Sequence, residues 1–127
     1  MSDKVRPVFD ASAVLALMQN ETGAGRLDRV RSDALLSAVT VAEVLAKLIS
    51  KGMPRKAAVA ALDALHLEVA AFDPAEAVLS AEYVAKDVSL GDRCFLSCAR
   101  RNGTGWTADH DLARIGTSLL PPLKMFR

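Results

Sequence analysis

Short aliphatic runs and longer helical segments alternate along the whole chain. "VRPVFD" (5–10), "ALLSAV" (34–39), "LEVAAF" (67–72) and "GWTA" (105–108) have strand character, and "LLPPLKMF" (119–126) supplies a last run. Between them lie helical patterns at 13–19, 26–32, 40–52, 54–66, 73–87, 89–102 and 109–116. Strands this short, separated by helices rather than tight turns, build βαβ units and a parallel sheet with helices on both faces. Several helix ends are marked. Thr40 opens one helix and Gly52 stops it, Pro54 stands at or near the first position of the next, and Asp73 with Pro74 begins another. Pro121 and Pro122 confine the last strand to an edge or to its own entry.

The chain has 127 residues, which predicts one domain over 1–127. Hydrophobic residues make up 51 % and aromatic ones 5 %, so the core must be aliphatic, built from Ala, Val and Leu. That aliphatic share exceeds the needs of one small domain and points to a self-association or partner surface. Sixteen Lys and Arg stand against 15 Asp and Glu, so net charge gives no argument for nucleic-acid binding. Cys94 and Cys98 share one helical face, where a disulfide would strain the backbone. His66 and His110 complete no zinc set with them, so the two cysteines read as small core residues of a reducing compartment. The opening "MSDKVRPVFDAS" has no leader-like apolar region, and the longest apolar segment, 11–18, is too short to span a bilayer. These features predict a cytoplasmic protein.

In open parallel sheets ligands bind beyond the carboxyl ends of the strands. Acids cluster at those places: Asp10 after the first strand, Glu43 and Asp92 in first helical turns, and Asp109 after "WTA". Capping alone accounts for several of them. Thr40–Glu43 and Ser89–Asp92 have capping-box spacing, Asp109 can cap the helical turn after it, and Glu43 and Lys47 are an i,i+4 pair. Capping does not explain Asp10, which sits in an otherwise uncharged stretch. Nor does it explain why so many acids fall at one edge. Carboxylates gathered in a pocket repel one another, and an oxygen-preferring divalent cation relieves that repulsion.

At these residues the sequence resembles the PIN-domain ribonucleases, and most closely the VapC toxins of bacterial toxin–antitoxin pairs. "VFDASAVLAL", "LSAVTVAEVLAKL", "SLGDRCFLSCAR" and "WTADHDL" stand in the order of that family's four acidic motifs. The resemblance implies a five-stranded parallel sheet between helices, usually in a homodimer. It implies a site in which Asp10, Glu43, Asp92 and Asp109 are catalytic and bind Mg²⁺, with Mn²⁺ as a substitute. Ser12 and Thr107 match small hydroxyl positions beside the metal. Asp111, two residues beyond Asp109, is the alternative fourth acid or an extra ligand. The implied activity is hydrolysis of RNA to products with 5′-phosphate and 3′-hydroxyl ends, held in check by a small cognate antitoxin.

Arg93, Arg100 and Arg101 are the candidate RNA contacts, beside a basic group at Lys47, Lys51, Arg55 and Lys56; basic residues at helix ends also complement the dipole. His110 reads as a surface or capping residue, with proton shuttling as its alternative. Two other functions fit parts of the pattern. A phosphoacceptor receiver domain would use Asp73, Thr107 and Lys124, but it needs a second acid beside Asp10, and Pro74 makes Asp73 read as a helix cap. A catalytically inactive binding module would use the acids only as caps.

Overall fold

The computed structural model describes residues 5–127. Residues 1–4, on which the expected lack of a leader and the start of the expected domain partly rest, lie outside the described residues. Five strands form one parallel sheet: β1 (Arg6–Phe9), β2 (Leu35–Ser37), β3 (Glu68–Ala70), β4 (Gly103–Thr107) and β5 (Leu123–Met125). Their order is β3-β2-β1-β4-β5. The helices are α1 (Ala11–Gln19), α2 (Ala24–Val30), α3 (Ala38–Ser50), α4 (Arg55–Asp63), α5 (Pro74–Ser80) and α6 (Leu90–Asn102), with 3-10 turns at Arg31–Asp33, Ala81–Tyr83 and His110–Arg114. Among the described residues no helix is long and apolar enough to cross a membrane.

The two-residue period of the strands divides the core. Phe9, Leu36 and Trp106 face one side, where they pack with Val14, Leu27, Val44, Leu48 and Phe126. Val8 and Leu35 face the other, against Tyr83, Phe95, Leu96, Cys98 and Leu112. Gly105 lies in register with Val8 and Leu123. A Cβ there would stand 2.7 Å from Phe95 Cζ and 2.8 Å from Leu123 Cδ2, so only glycine lets α6 and β5 close over β4. Cys94 and Cys98 are buried free thiols, as expected, and burial pushes Cys98 up to about 12.

The chain leaves β1 toward β2 and β3, then crosses back to place β4 on the opposite side of β1. Neighbouring strands whose connections run in opposite directions open a crevice at their carboxyl ends, here between β1 and β4.

Three local expectations change. α3 starts at Ala38, capped by Ser37, whose hydroxyl accepts the Val39 N–H at 3.1 Å. Thr40 is therefore inside the helix and caps nothing, because a capping residue must keep an extended backbone. Glu43 falls in the second turn rather than the first. Pro54 stands just before α4 as its N-cap, near the first position as expected. α5 ends at Ser80 rather than 87, since the following turn carries Tyr83 into the core, where its hydroxyl donates to Leu119 O at 2.6 Å.

Candidate active site

β1 delivers Asp10 directly to the crevice. Its backbone N–H donates to Trp106 O at 3.3 Å, extending the β1–β4 pairing one residue past the strand. Its extended backbone then caps α1. Oδ1 accepts the Ala13 N–H at 2.9 Å and the Ser12 hydroxyl at 2.6 Å, while Oδ2 accepts the Thr107 hydroxyl at 2.5 Å. The same hydroxyls also accept. Thr107 Oγ1 takes the Asp109 N–H at 3.0 Å, and Ser12 Oγ takes the Ala108 N–H at 3.2 Å. The end of β4 is thus tied to the start of α1 through the carboxylate of Asp10, which is only 9 % exposed.

The other acids arrive on separate elements. Asp92 is the third residue of α6 and completes the capping box read from the sequence. Ser89 Oγ accepts the Asp92 N–H, and Asp92 Oδ2 accepts the Ser89 N–H, both at 3.1 Å. Asp109 caps the 3-10 turn after β4, with Oδ1 accepting the Asp111 N–H at 2.9 Å. Glu43 reaches across from α3. Asp10, Glu43, Asp92 and Asp109 line one cavity of ≈ 150 Å³, together with Ser12, Lys47, Gly91 and Phe95.

The field in this cavity favours neutral acids or a bound cation. Burial raises the pKa of Asp10, and the negative charge of Asp92 adds to the rise; the Ser12, Thr107 and Ala13 hydrogen bonds oppose it. Burial also raises Glu43, assisted by Asp92 and Asp10 and opposed by Lys47. Among the described residues no three carboxylates, histidines or cysteines converge into a ready-made metal cage. Three of the four acids are instead engaged as helix caps. The donor set nevertheless fits an oxygen-preferring divalent ion, since four carboxylates line the cavity and two of them are held at raised pKa by burial and by the charge of Asp92.

The remaining candidates separate. Asp111 turns outward to an ion pair with Arg114 at 3.0 Å and does not line the cavity. Arg93 lies just behind Asp92, with its guanidinium donating to Val88 O at 3.4 Å. Arg100 and Arg101 stand about 12 Å farther along the axis of α6, because each helical residue rises ~1.5 Å. Arg101 is moreover paired with Asp73 at 3.2 Å and with buried Glu76 at 3.5 Å, bracing α5 against α6. The helix length thus removes these two arginines from the acids. Asp73, which the receiver reading needed as phosphoacceptor, is held in that brace and caps α5. His110 meets Arg127 O at 3.1 Å.

Two lining residues are not among the acids and hydroxyls that the sequence pattern singles out for the site. Lys47, which the sequence places in the basic group around the "KGMP" turn, lies one helical turn from Glu43 and lines the same cavity. Gly91 was noted only as part of "LGDR". Its signal was a glycine in the first turn of a helix, where most residues cost less.

The PIN domain family model matches residues 8–117, which contain all four acids. No curated protein matches the sequence. Solved structures share the fold. VapBC from Salmonella typhimurium bound to DNA aligns at 17 % identity and a TM-score of 0.78, covering 98 % of this chain and 100 % of that one. VapBC2 from Rickettsia felis bound to a promoter fragment aligns at 16 % and 0.73, covering 95 % and 98 %. The sarcin-ricin loop cleaving toxin VapC20 of Mycobacterium tuberculosis aligns at 18 % and 0.66, covering 91 % and 99 %.

Proposed function

The chain belongs to the PIN domain family, and from that premise we propose that it is a divalent-metal-dependent endoribonuclease acting as the toxin of a toxin–antitoxin pair. The observation that carries this reading is the convergence of four acids, from four different parts of the chain, on one cavity at the β1–β4 crevice. The fold likeness to a sarcin-ricin loop cleaving toxin supports RNA as the substrate class. The likeness to VapBC assemblies supports a small protein antitoxin as partner. We assign the protein to the cytoplasm, where two free buried thiols persist unpaired, and to a homodimer, for which exposed Ile49 and Val59 on neighbouring helices α3 and α4 offer apolar surface.

Asp10, Asp92 and Asp109 would hold Mg²⁺, or Mn²⁺ in its place. When bound, the ion supplies Lewis acidity and charge neutralisation to phosphodiester hydrolysis. Glu43, with its raised pKa, accepts the proton of the attacking water. The water oxygen bonds to phosphorus as the bond to the 3′ oxygen breaks, and the departing oxygen takes a proton from solvent, leaving a 5′-phosphate and a 3′-hydroxyl. Ser12 and Thr107 fix the Asp10 carboxylate through their hydrogen bonds. Arg93 is near enough to Asp92 to meet a flanking phosphate.

Cleavage of RNA by the purified chain in Mn²⁺ tests the proposal. Asp10→Asn should lose several kcal/mol of transition-state stabilisation, about 10³-fold in rate, while its circular dichroism stays native. Undiminished cleavage by this variant defeats the proposed site.

A further inference from the structure

The first turn of α6 carries a glycine where helix propensity offers no reason for one. Gly91 lies between Leu90 and Asp92, and its backbone is ordinary helix rather than the left-handed conformation that favours glycine. The turn does not need glycine for its geometry, and a glycine costs a helix relative to alanine. What the site does contain is the Glu43 carboxylate. A Cβ built on Gly91 would stand 2.2 Å from Glu43 Oε2, 2.3 Å from its Cδ and 2.5 Å from its Oε1. These are the three nearest atoms, and all belong to the free end of one side chain. The end of Glu43 therefore occupies the space that any other residue at 91 would fill.

We propose that Gly91 is a positioning residue: its missing side chain is the seat that holds the Glu43 carboxylate in the acid cavity, beside Asp92 and facing Asp10. Both residues line that cavity. Glu43 leaves α3 in its second turn, and α3 packs against α6, so its carboxylate must cross the surface of α6 to reach Asp10 and Asp92. The path runs over position 91. A methyl group there meets no backbone atom among its three nearest neighbours. It collides with a flexible side chain, which yields by rotating away. The fold thus tolerates the methyl and the cavity loses its fourth acid. Stability and function should part company at this one position.

The inference rests on the ribonuclease reading for its activity arm, and the test keeps the two apart. Four proteins are compared: wild type, Gly91→Ala, Glu43→Ala and the double variant. Each is examined by thermal melting in EDTA, by Mn²⁺ titration calorimetry and by RNA cleavage. Gly91→Ala should melt at the wild-type temperature or up to about 4 °C above it, since alanine replaces glycine in a helix without a backbone clash. Its kcat/KM should fall roughly 10²-fold through displacement of one catalytic group. In the Glu43→Ala background the same substitution should raise or preserve the melting temperature and change neither Mn²⁺ affinity nor cleavage, because nothing remains to displace. Wild-type activity in Gly91→Ala overturns the inference alone. So does an equal loss in both backgrounds, which would mean that the methyl acts on something other than Glu43. A melting temperature lowered by more than about 5 °C also overturns it, since the collision would then be with the fold. A wild type that neither binds Mn²⁺ nor cleaves RNA overturns the ribonuclease reading and this inference together.

Discussion

Asp10 has three bonded donors and almost no water. The three hydrogen bonds favour its ionised form, but burial outweighs them and the pKa rises above its ordinary value of 3.8. In the metal-free protein the sign follows by linkage. The folded state holds this proton more tightly than the unfolded state, so ionised Asp10 opposes folding, and acidification relieves that opposition. Asp10→Asn removes the charge and with it one of the repulsions that raise Glu43, a second effect of the same sign. Its stability relative to wild type in EDTA should therefore be greatest near pH 8 and should shrink as the pH falls toward 4. Urea melts at stepped pH measure this directly. A relative stability that stays constant or grows on acidification would mean that the carboxylate is not desolvated as the fold requires.

The elements around the site show which sequence signals were decisive. Ser89–Asp92 was legible because the capping box is local: both partners lie within one turn, and no distant residue competes. Thr40–Glu43 has the same kind of spacing and was misread. Ser37 preempts it, and that outcome depends on where β2 ends, which is set by pairing with β1 and β3. Thr40 is left fully buried with an Oγ1 that has no hydrogen-bond partner. An orphaned buried hydroxyl costs about 1–3 kcal/mol. Thr40→Val keeps the shape and removes the orphan, so α3 should gain roughly 1 kcal/mol, read as a higher urea midpoint at unchanged slope. A lower midpoint would show that the hydroxyl is bonded after all. The Glu43–Gly91 contact was not legible, because it joins two helices whose approach is fixed only by packing. The rise of the helix places Arg100 and Arg101, the candidate RNA contacts, well beyond Asp92 along α6.

At the scale of the molecule, one topological fact organises everything. β1 lies between β2 and β4, and the chain's two directions of travel part there. The alternating runs announced a parallel sheet, and an aliphatic strand ending in a lone acid marked its ligand edge. Strand order was not readable, since "GWTA" and "LEVAAF" look equally fit to pair with β1. Once β4 takes that place, the Thr107 hydroxyl meets Asp10 and Asp109 follows beside it. The same arrangement turns Asp111 outward to Arg114, while Asp109 lines the cavity. Folding thus drives four acids onto one cavity against their mutual repulsion, and a cation that binds only there should repay the folded state. At a hundredfold excess over its dissociation constant such a ligand adds about 2.7 kcal/mol. The direct measurement is the melting temperature of the EDTA-treated protein during Mn²⁺ titration, beside Asp10→Asn. The wild type should rise by several degrees and saturate, while the variant stays level. A level wild type, or an equal rise in both proteins, would contradict a cation site built on Asp10.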